Sequence, residues 1–204
     1  MRIYKKKFIY LISPNRISSS FYGELKKILR LKKVGFFQLR LKNESLKKKI
    51  LIGKKIKKIC KNHYVKFIVN DDVLLAKKIN ADGCHLGQSD MPIFKARKII
   101  GNKIIGATCH NSIKLAKKAV KQKADYLALG AFYFSKTKKT KFKANLNLIK
   151  KIKNITKTPI VAIGGINNKN YKKLMLNKVN FLAISGYIWK NEKIKPLDAI
   201  KILK

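Results

Sequence analysis

The sequence predicts an α/β fold, a (β/α)8 or TIM barrel, with residues 1–204 forming one domain. Three observations point there. A length of 204 residues sits at the small end of the range for such barrels and within single-domain size. Hydrophobic residues make up 46% of the chain, and a domain of this length buries ~70% of the surface its unfolded chain exposes. Short apolar runs alternate with longer amphipathic stretches, the pattern of successive βα units building a parallel sheet.

In chain order, the expected strands are residues 8–12, 35–40, 66–70, 82–86, 103–108, 125–130, 159–163 and 180–185. Expected helices cover 20–33, 44–62, 72–79, 92–100, 111–122, 145–156, 167–176 and 196–203, with Asn111 and Asn167 as capping-type residues at two of the starts. Between Tyr133 and Ala144, Ser, Thr and Lys displace the apolar pattern, and loops of that length are often functional. Nearly every expected strand ends in polar residues or glycine: Ser13, Gln38 with Arg40, Asn70 with Asp71, His85 with Gln88, Thr108 with His110, Gly130, Gly164 with Gly165, and Ser185 with Gly186. In a barrel these ends meet on one face, where active sites are built.

Lys and Arg number 50 against 9 Asp and Glu, a net charge of +41. The lysines recur as pairs on the expected helices, such as Lys26–Lys27, Lys77–Lys78 and Lys172–Lys173, opposite the apolar stripe. A nucleic-acid footprint is a patch, so this spread reads as solvated helix faces, with no specific nucleic-acid partner expected. The same field steers anionic small molecules. No apolar run approaches the ~18 residues of a membrane span, so no membrane partner is expected. Lys5, Lys6 and Lys7 before residues 8–12 faintly resemble a signal peptide, but the apolar part is too short and lacks a cleavage site. Cys60, Cys84 and Cys109 form no CxxC pair and read as reduced thiols of a cytoplasmic protein. Homo-oligomerisation stays open.

Asp71 and Asp90 follow adjacent expected strands, where they suit one Mg2+ shared with substrate phosphates. Helix capping by Asp71 or Asp72 is the competing reading. Arg40 and Lys42 share one side of their strand by its period of two, while Leu39 and Leu41 take the other. A positive pair turned into a barrel calls for an anion, either a phosphate or a structural acid. Gly164-Gly165 and Ser185-Gly186 follow the last two strands, where this fold commonly binds phosphate through backbone N–H groups. Ser135-Lys136-Thr137-Lys138 offers hydroxyls and ammoniums to anions, or is simply a polar loop. His63 ends a helix at the surface. His85 and His110 either polarise substrate or are satisfied rim histidines.

In this order, FFQLRLK, FIVNDD, DGCHLGQSDMP, IIGATCHNS, ADYLALGAFYFSKTKK, TPIVAIGGI and FLAISGYIW resemble the thiamine-phosphate synthase family, particularly its alphaproteobacterial branch. The match runs from Tyr10 to Trp189. The resemblance implies a transferase that joins a hydroxymethylpyrimidine diphosphate to a thiazole phosphate and releases pyrophosphate, by a dissociative route. It implies that Gln38, Leu39, Arg40, Leu41, Lys42, Asn70, Thr108 and Lys138 hold the pyrimidine diphosphate, with Arg40, Lys42 and Lys138 catalytic. It further implies Mg2+ as cofactor at Asp71 and Asp90. Ser135, Lys136, Thr137, Gly164, Gly165, Ile184 and Ser185 are implied to hold the thiazole phosphate. Four positions depart from the family pattern: Asp72 replaces a usual Arg, Thr108 a commoner Ser, Leu41 a Glu of other branches, and Ser135 a commoner Thr.

A thiazole tautomerase of the same superfamily, with His110 as acid or base, is the alternative. The charged set Asp71, Asp90, Arg40, Lys42 and Lys138 favours the synthase, because a tautomerase has no pyrophosphate to neutralise. A nonenzymatic basic nucleic-acid-binding barrel is the third reading, and the scattered lysines without interleaved aromatics speak against it.

Overall fold

The computed structural model describes residues 7–135 and 141–203. Eight parallel strands close into a barrel in sequence order: β1 (Ile9–Ile12), β2 (Val34–Leu39), β3 (Lys66–Asn70), β4 (Gly83–Leu86), β5 (Ile104–His110), β6 (Tyr126–Leu129), β7 (Ile160–Ala162) and β8 (Phe181–Ile184). Ring closure pairs β1 with β8, Ile9 opposite Leu182 and Leu11 opposite Ile184.

The period-2 pattern separates two cores. Ile9 and Leu11 of β1, and Leu127 and Leu129 of β6, face outward into the layer between sheet and helices. Tyr10, Tyr126, Ala128, Val161 and Ala183 face inward, with Phe36, Ile104 and Phe181 packed against them. These inner side chains fill the barrel, so its lower part is a solid core and not a channel.

The helices are α1 (Phe21–Arg30), α2 (Leu46–Asn62), α3 (Val73–Lys78), α4 (Ile93–Ile100), α5 (Ile113–Lys121), α6 (Leu146–Ile155), α7 (Tyr171–Leu176), α8 (Gly186–Trp189) and α9 (Pro196–Ile202). Helix α1 shows why they form: Phe21, Leu25, Ile28 and Leu29 make one buried stripe, while Lys26, Lys27 and Arg30 stay exposed. No described helix is long and apolar enough to cross a membrane. The two helix starts expected at asparagines shift. Ser112, not Asn111, caps α5 by accepting from Leu115 N at 3.2 Å, and α7 begins after Asn170 rather than at Asn167. In both places the earlier asparagine is engaged elsewhere: Asn111 Nδ2 donates across to Lys143 O in the loop before α6, and Asn167 Oδ1 accepts from Lys169 N in a local turn. The short α8 lies where the sequence pattern offers too few residues for a periodicity.

A repeated device holds the N-terminal face of the barrel. Asp82, Asp125 and Asn180 stand just before β4, β6 and β8. Each side-chain oxygen accepts from the first amides of the preceding strand: Phe67 N and Ile105 N at 2.8 Å, and Ile160 N at 2.9 Å. Two of the few acids are thereby committed to stability, on the face opposite the strand C-termini.

Candidate active site

At the C-terminal end of the barrel, β2, β3 and β4 bring together the residues expected there. Gln38 is buried in the interior and donates from Nε2 to Tyr10 Oη at 3.2 Å. Arg40 is half-buried, with its N–H donated to Ser13 Oγ at 2.9 Å. Lys42 is exposed. The Leu39 and Leu41 side chains turn away into the outer core, so they offer the site only backbone.

Asp71 and Asp72 divide the roles that the sequence leaves open between them. Asp72 caps α3, its Oδ1 accepting from Leu75 N at 2.8 Å. The usual Arg of the family pattern is thus replaced by a cap, and the extra negative charge is spent on a helix N-terminus. Asp71 takes a left-handed backbone, φ 65°, a conformation Asp tolerates better than most residues. Its carboxyl meets that of Asp90, and its pKa is pushed up to about 6 by partial loss of hydration and by the Asp90 carboxyl, against the opposing charges of Arg40 and Lys42. Asp90 is itself fixed by Gly87 N, which donates to its Oδ2 at 2.6 Å. Two converging carboxylates that repel each other fit a hard cation: Mg2+ is commonly held by one or two carboxylates and completes its shell with water and phosphate oxygens. Among the described residues no group of three or more His, Cys, Asp or Glu gathers, so a cation here would take its remaining ligands from outside that set.

Across the mouth, Gly164 and Gly165 make the turn after β7 with φ of 95° and 62°. A Cβ on Gly165 would lie 2.1 Å from Phe134 O, so only glycine lets this turn sit under the loop after β6. Asn170 Nδ2 donates to Gly165 O at 3.0 Å and holds the turn from α7. Ser185 Oγ donates to Ser13 O at 3.3 Å, placing Ser185 next to the loop after β1. Ile184, like Leu39, faces the outer core. Ser135 is half-buried, while Lys136, Thr137 and Lys138 lie outside the described residues.

His85 and Thr108 occupy neighbouring strand ends, and His85 Nε2 meets Thr108 Oγ1 at 2.8 Å. His85 is thereby a hydrogen-bonded rim histidine. The His110 ring stacks on Phe142 with 4.0 Å between ring centres. His63 follows α2 as its C-cap, as expected. Sequence patterning did not single out Tyr10 and Tyr126, whose hydroxyls meet at 2.7 Å inside the barrel. The available signal was a tyrosine at an inward position of an apolar strand, since a buried hydroxyl needs a partner.

These features define a (β/α)8-barrel enzyme whose strand C-termini carry a cationic and carboxylate cluster on one side and a glycine turn on the other. Residues 9–188 match the family model described as thiamine monophosphate synthase. The chain is 66% identical over 200 residues to the thiamine-phosphate synthase of Pelagibacter ubique, covering 98% of this chain and 97% of that one. It is 37% identical to the corresponding protein of Erythrobacter litoralis, covering 94% and 92% of the two chains. Among solved structures, thiamine phosphate pyrophosphorylase from Pyrococcus furiosus superposes with a TM-score of 0.85 at 30% identity, covering 98% of this chain and 95% of that one. The chain belongs to the thiamine monophosphate synthase family and is a transferase of thiamine phosphate synthesis.

Proposed function

We propose that the enzyme joins 4-amino-2-methyl-5-(diphosphooxymethyl)pyrimidine to a thiazole phosphate, giving thiamine phosphate and pyrophosphate. The observation that carries this reading is the division of the mouth. Arg40, Lys42, Asp71 and Asp90 cluster over β2 to β4, and the Gly164-Gly165 turn and Ser185 lie over β7 and β8. Ser13 of the loop after β1 touches both sides, bonded to Arg40 N and to Ser185 Oγ. Two anionic substrates thus have two different receptions within one opening.

In the proposed chemistry the bond between the pyrimidine methylene carbon and the diphosphate oxygen breaks first, and its electron pair leaves with pyrophosphate. The thiazole nitrogen then donates its lone pair to that carbon. Mg2+ held by Asp71 and Asp90 supplies charge neutralisation to the leaving group when bound. Arg40 and Lys42 meet the negative charge that grows on the diphosphate, and Lys138 completes this set by the family resemblance. Donors fixed in advance lower a barrier because they need no reorganisation as charge develops. Gln38, Asn70 and Thr108 orient the pyrimidine. Ser135, Lys136, Thr137, the Gly164-Gly165 turn and Ser185 anchor the thiazole phosphate through hydroxyl, ammonium and backbone N–H groups. No nucleophilic side chain is required, in keeping with three buried thiols. Reduced thiols and phosphorylated substrates both suit the cytoplasm.

The test is pyrophosphate release on mixing purified enzyme with both substrates and Mg2+. Release that requires both substrates and stops with excess chelator is expected. Failure to form thiamine phosphate, or full activity in chelator, would overturn the substrate or the metal assignment respectively.

A further inference from the structure

A continuous line of hydrogen bonds runs through the apolar barrel interior to the site. Gln38 Nε2 donates to Tyr10 Oη at 3.2 Å, Tyr10 Oη meets Tyr126 Oη at 2.7 Å, Tyr126 Oη meets His85 Nδ1 at 2.9 Å, and His85 Nε2 meets Thr108 Oγ1 at 2.8 Å. Tyr10 and Tyr126 are 2% and 3% exposed, so water does not take their protons. Room for the line is made by Gly106, where a Cβ would fall 1.9 Å from Tyr126 Cζ.

Proton counting gives this line a direction. An amide nitrogen donates and does not accept, so Tyr10 must pass its own proton to its other neighbour, Tyr126. Tyr126, already accepting, passes its proton to His85 Nδ1. A neutral imidazole with a bare Nδ1 carries its proton on Nε2, and Nε2 donates to Thr108 Oγ1. The Thr108 oxygen is therefore an acceptor toward the barrel floor, and its proton is left for the mouth. Reversing any link would leave a buried hydroxyl proton without an acceptor, at a cost of ~1–3 kcal/mol.

We propose that Tyr10, Tyr126 and His85 are positioning residues that set the Thr108 hydroxyl as a hydrogen-bond donor to an acceptor oxygen or ring nitrogen of the pyrimidine substrate. The identity of that ligand rests on the function proposed above, but the direction of the line does not. Gln88 braces the same strand end from outside, its Nε2 donating to Thr108 O. The inner line thus sets the hydroxyl's polarity while the outer contact holds its backbone.

Two measurements test this. Long-range 1H–15N correlation on ligand-free enzyme, with His85 assigned by a His85→Gln variant, should show the Nε2–H tautomer at pH 7. The Nδ1–H form would overturn the proposal, whatever the substrates prove to be. In steady-state kinetics, Tyr126→Phe should raise KM for the pyrimidine substrate roughly tenfold while moving that of the thiazole phosphate by less than about twofold. Thr108→Val should do the same, Thr108→Ser should not, and adding Tyr126→Phe to Thr108→Val should have no further effect, since the two act on one contact. Equal changes in both KM values, or additive effects in the double variant, would show a structural role only. Absence of synthase activity in the parent enzyme would remove the function proposed above while leaving the tautomer result to decide the line's direction.

Discussion

Asp71 and Asp90 each have one carboxylate to offer, and their value lies in being opposed. Asp71→Asn keeps the left-handed backbone, which Asn also tolerates, and removes one of two repelling groups. Its kcat should fall on the order of 10²-fold or more, as for loss of one charge-stabilising group at a reacting centre, with no fall in melting temperature in Mg2+-free buffer. A loss of stability matching the loss of activity would instead make Asp71 structural. The cysteines make the opposite case, residues whose chemistry is switched off by burial. The Cys109 thiol is pushed up from 9.0 to about 12 by loss of solvent, and burial raises Cys60 and Cys84 likewise. Because the folded value is the higher one, the neutral thiol's contribution to stability is complete below about pH 9 and is lost as pH rises toward about 12. A thiol-reactive chromogenic reagent at pH 7.5 should leave all three cysteines unlabelled in native protein and label all three in denaturant, with rapid native labelling as the contrary result.

At the scale of elements, the two ends of the strands carry different duties. The N-terminal ends are tied by Asp82, Asp125 and Asn180 to the neighbouring strands. Asp82→Ala leaves the Phe67 amide without its carboxylate and should cost about 1–3 kcal/mol in denaturant unfolding while leaving kcat unchanged. A fall in kcat with stability intact would contradict the division of labour between the two faces. The C-terminal ends spend their residues on loops, and the same acid type there, Asp90, is held by Gly87 N with its carboxyl turned toward Asp71. Sequence periodicity located these elements because a strand or helix must bury one face whatever surrounds it. It misplaced the starts of α5 and α7 because a capping residue and a turn residue are the same chemical type, and only the chain's path distinguishes Ser112 from Asn111.

For the whole molecule, charge arithmetic sets the behaviour. If every one of the 9 acids neutralised one base, 50 − 9 = 41 bases would remain unpaired. Several acids are in addition engaged with backbone amides or with each other. The Lys201–Asp198 pair is exposed on both sides and of little worth, while Glu44–Lys48 and Arg97–Asp125 each join one exposed side chain to a partly buried one. Self-repulsion therefore weakens the compact state, and raising salt from 20 to 200 mM should raise the melting temperature, because the Debye length shrinks from ~20 Å to ~7 Å. Binding to duplex DNA should be sequence-independent and largely lost over the same range. A melting temperature that falls with added salt, or sequence-selective DNA binding that survives it, would show that a built charge network outweighs the diffuse field.

The order of strands, the face that carries the site, and the residue types at each strand end were determined by the sequence, since hydrophobic period and turn chemistry are local properties. The places of Arg40, Asp71, Gly164 and Ser185 were legible in that way, each one or two residues past an apolar run, and that of Asp90 four residues past one. Pairing was decided only by the closed barrel. That Asp72 caps α3 while Asp71 meets Asp90, that Leu39, Leu41 and Ile184 turn outward, and that Tyr10 and Tyr126 join Gln38 to His85 all depend on which strands stand side by side and across the ring. Tyr10 and Tyr126 stand 116 positions apart in the chain, and no local rule of sequence records a distance that exists only once the ring has closed.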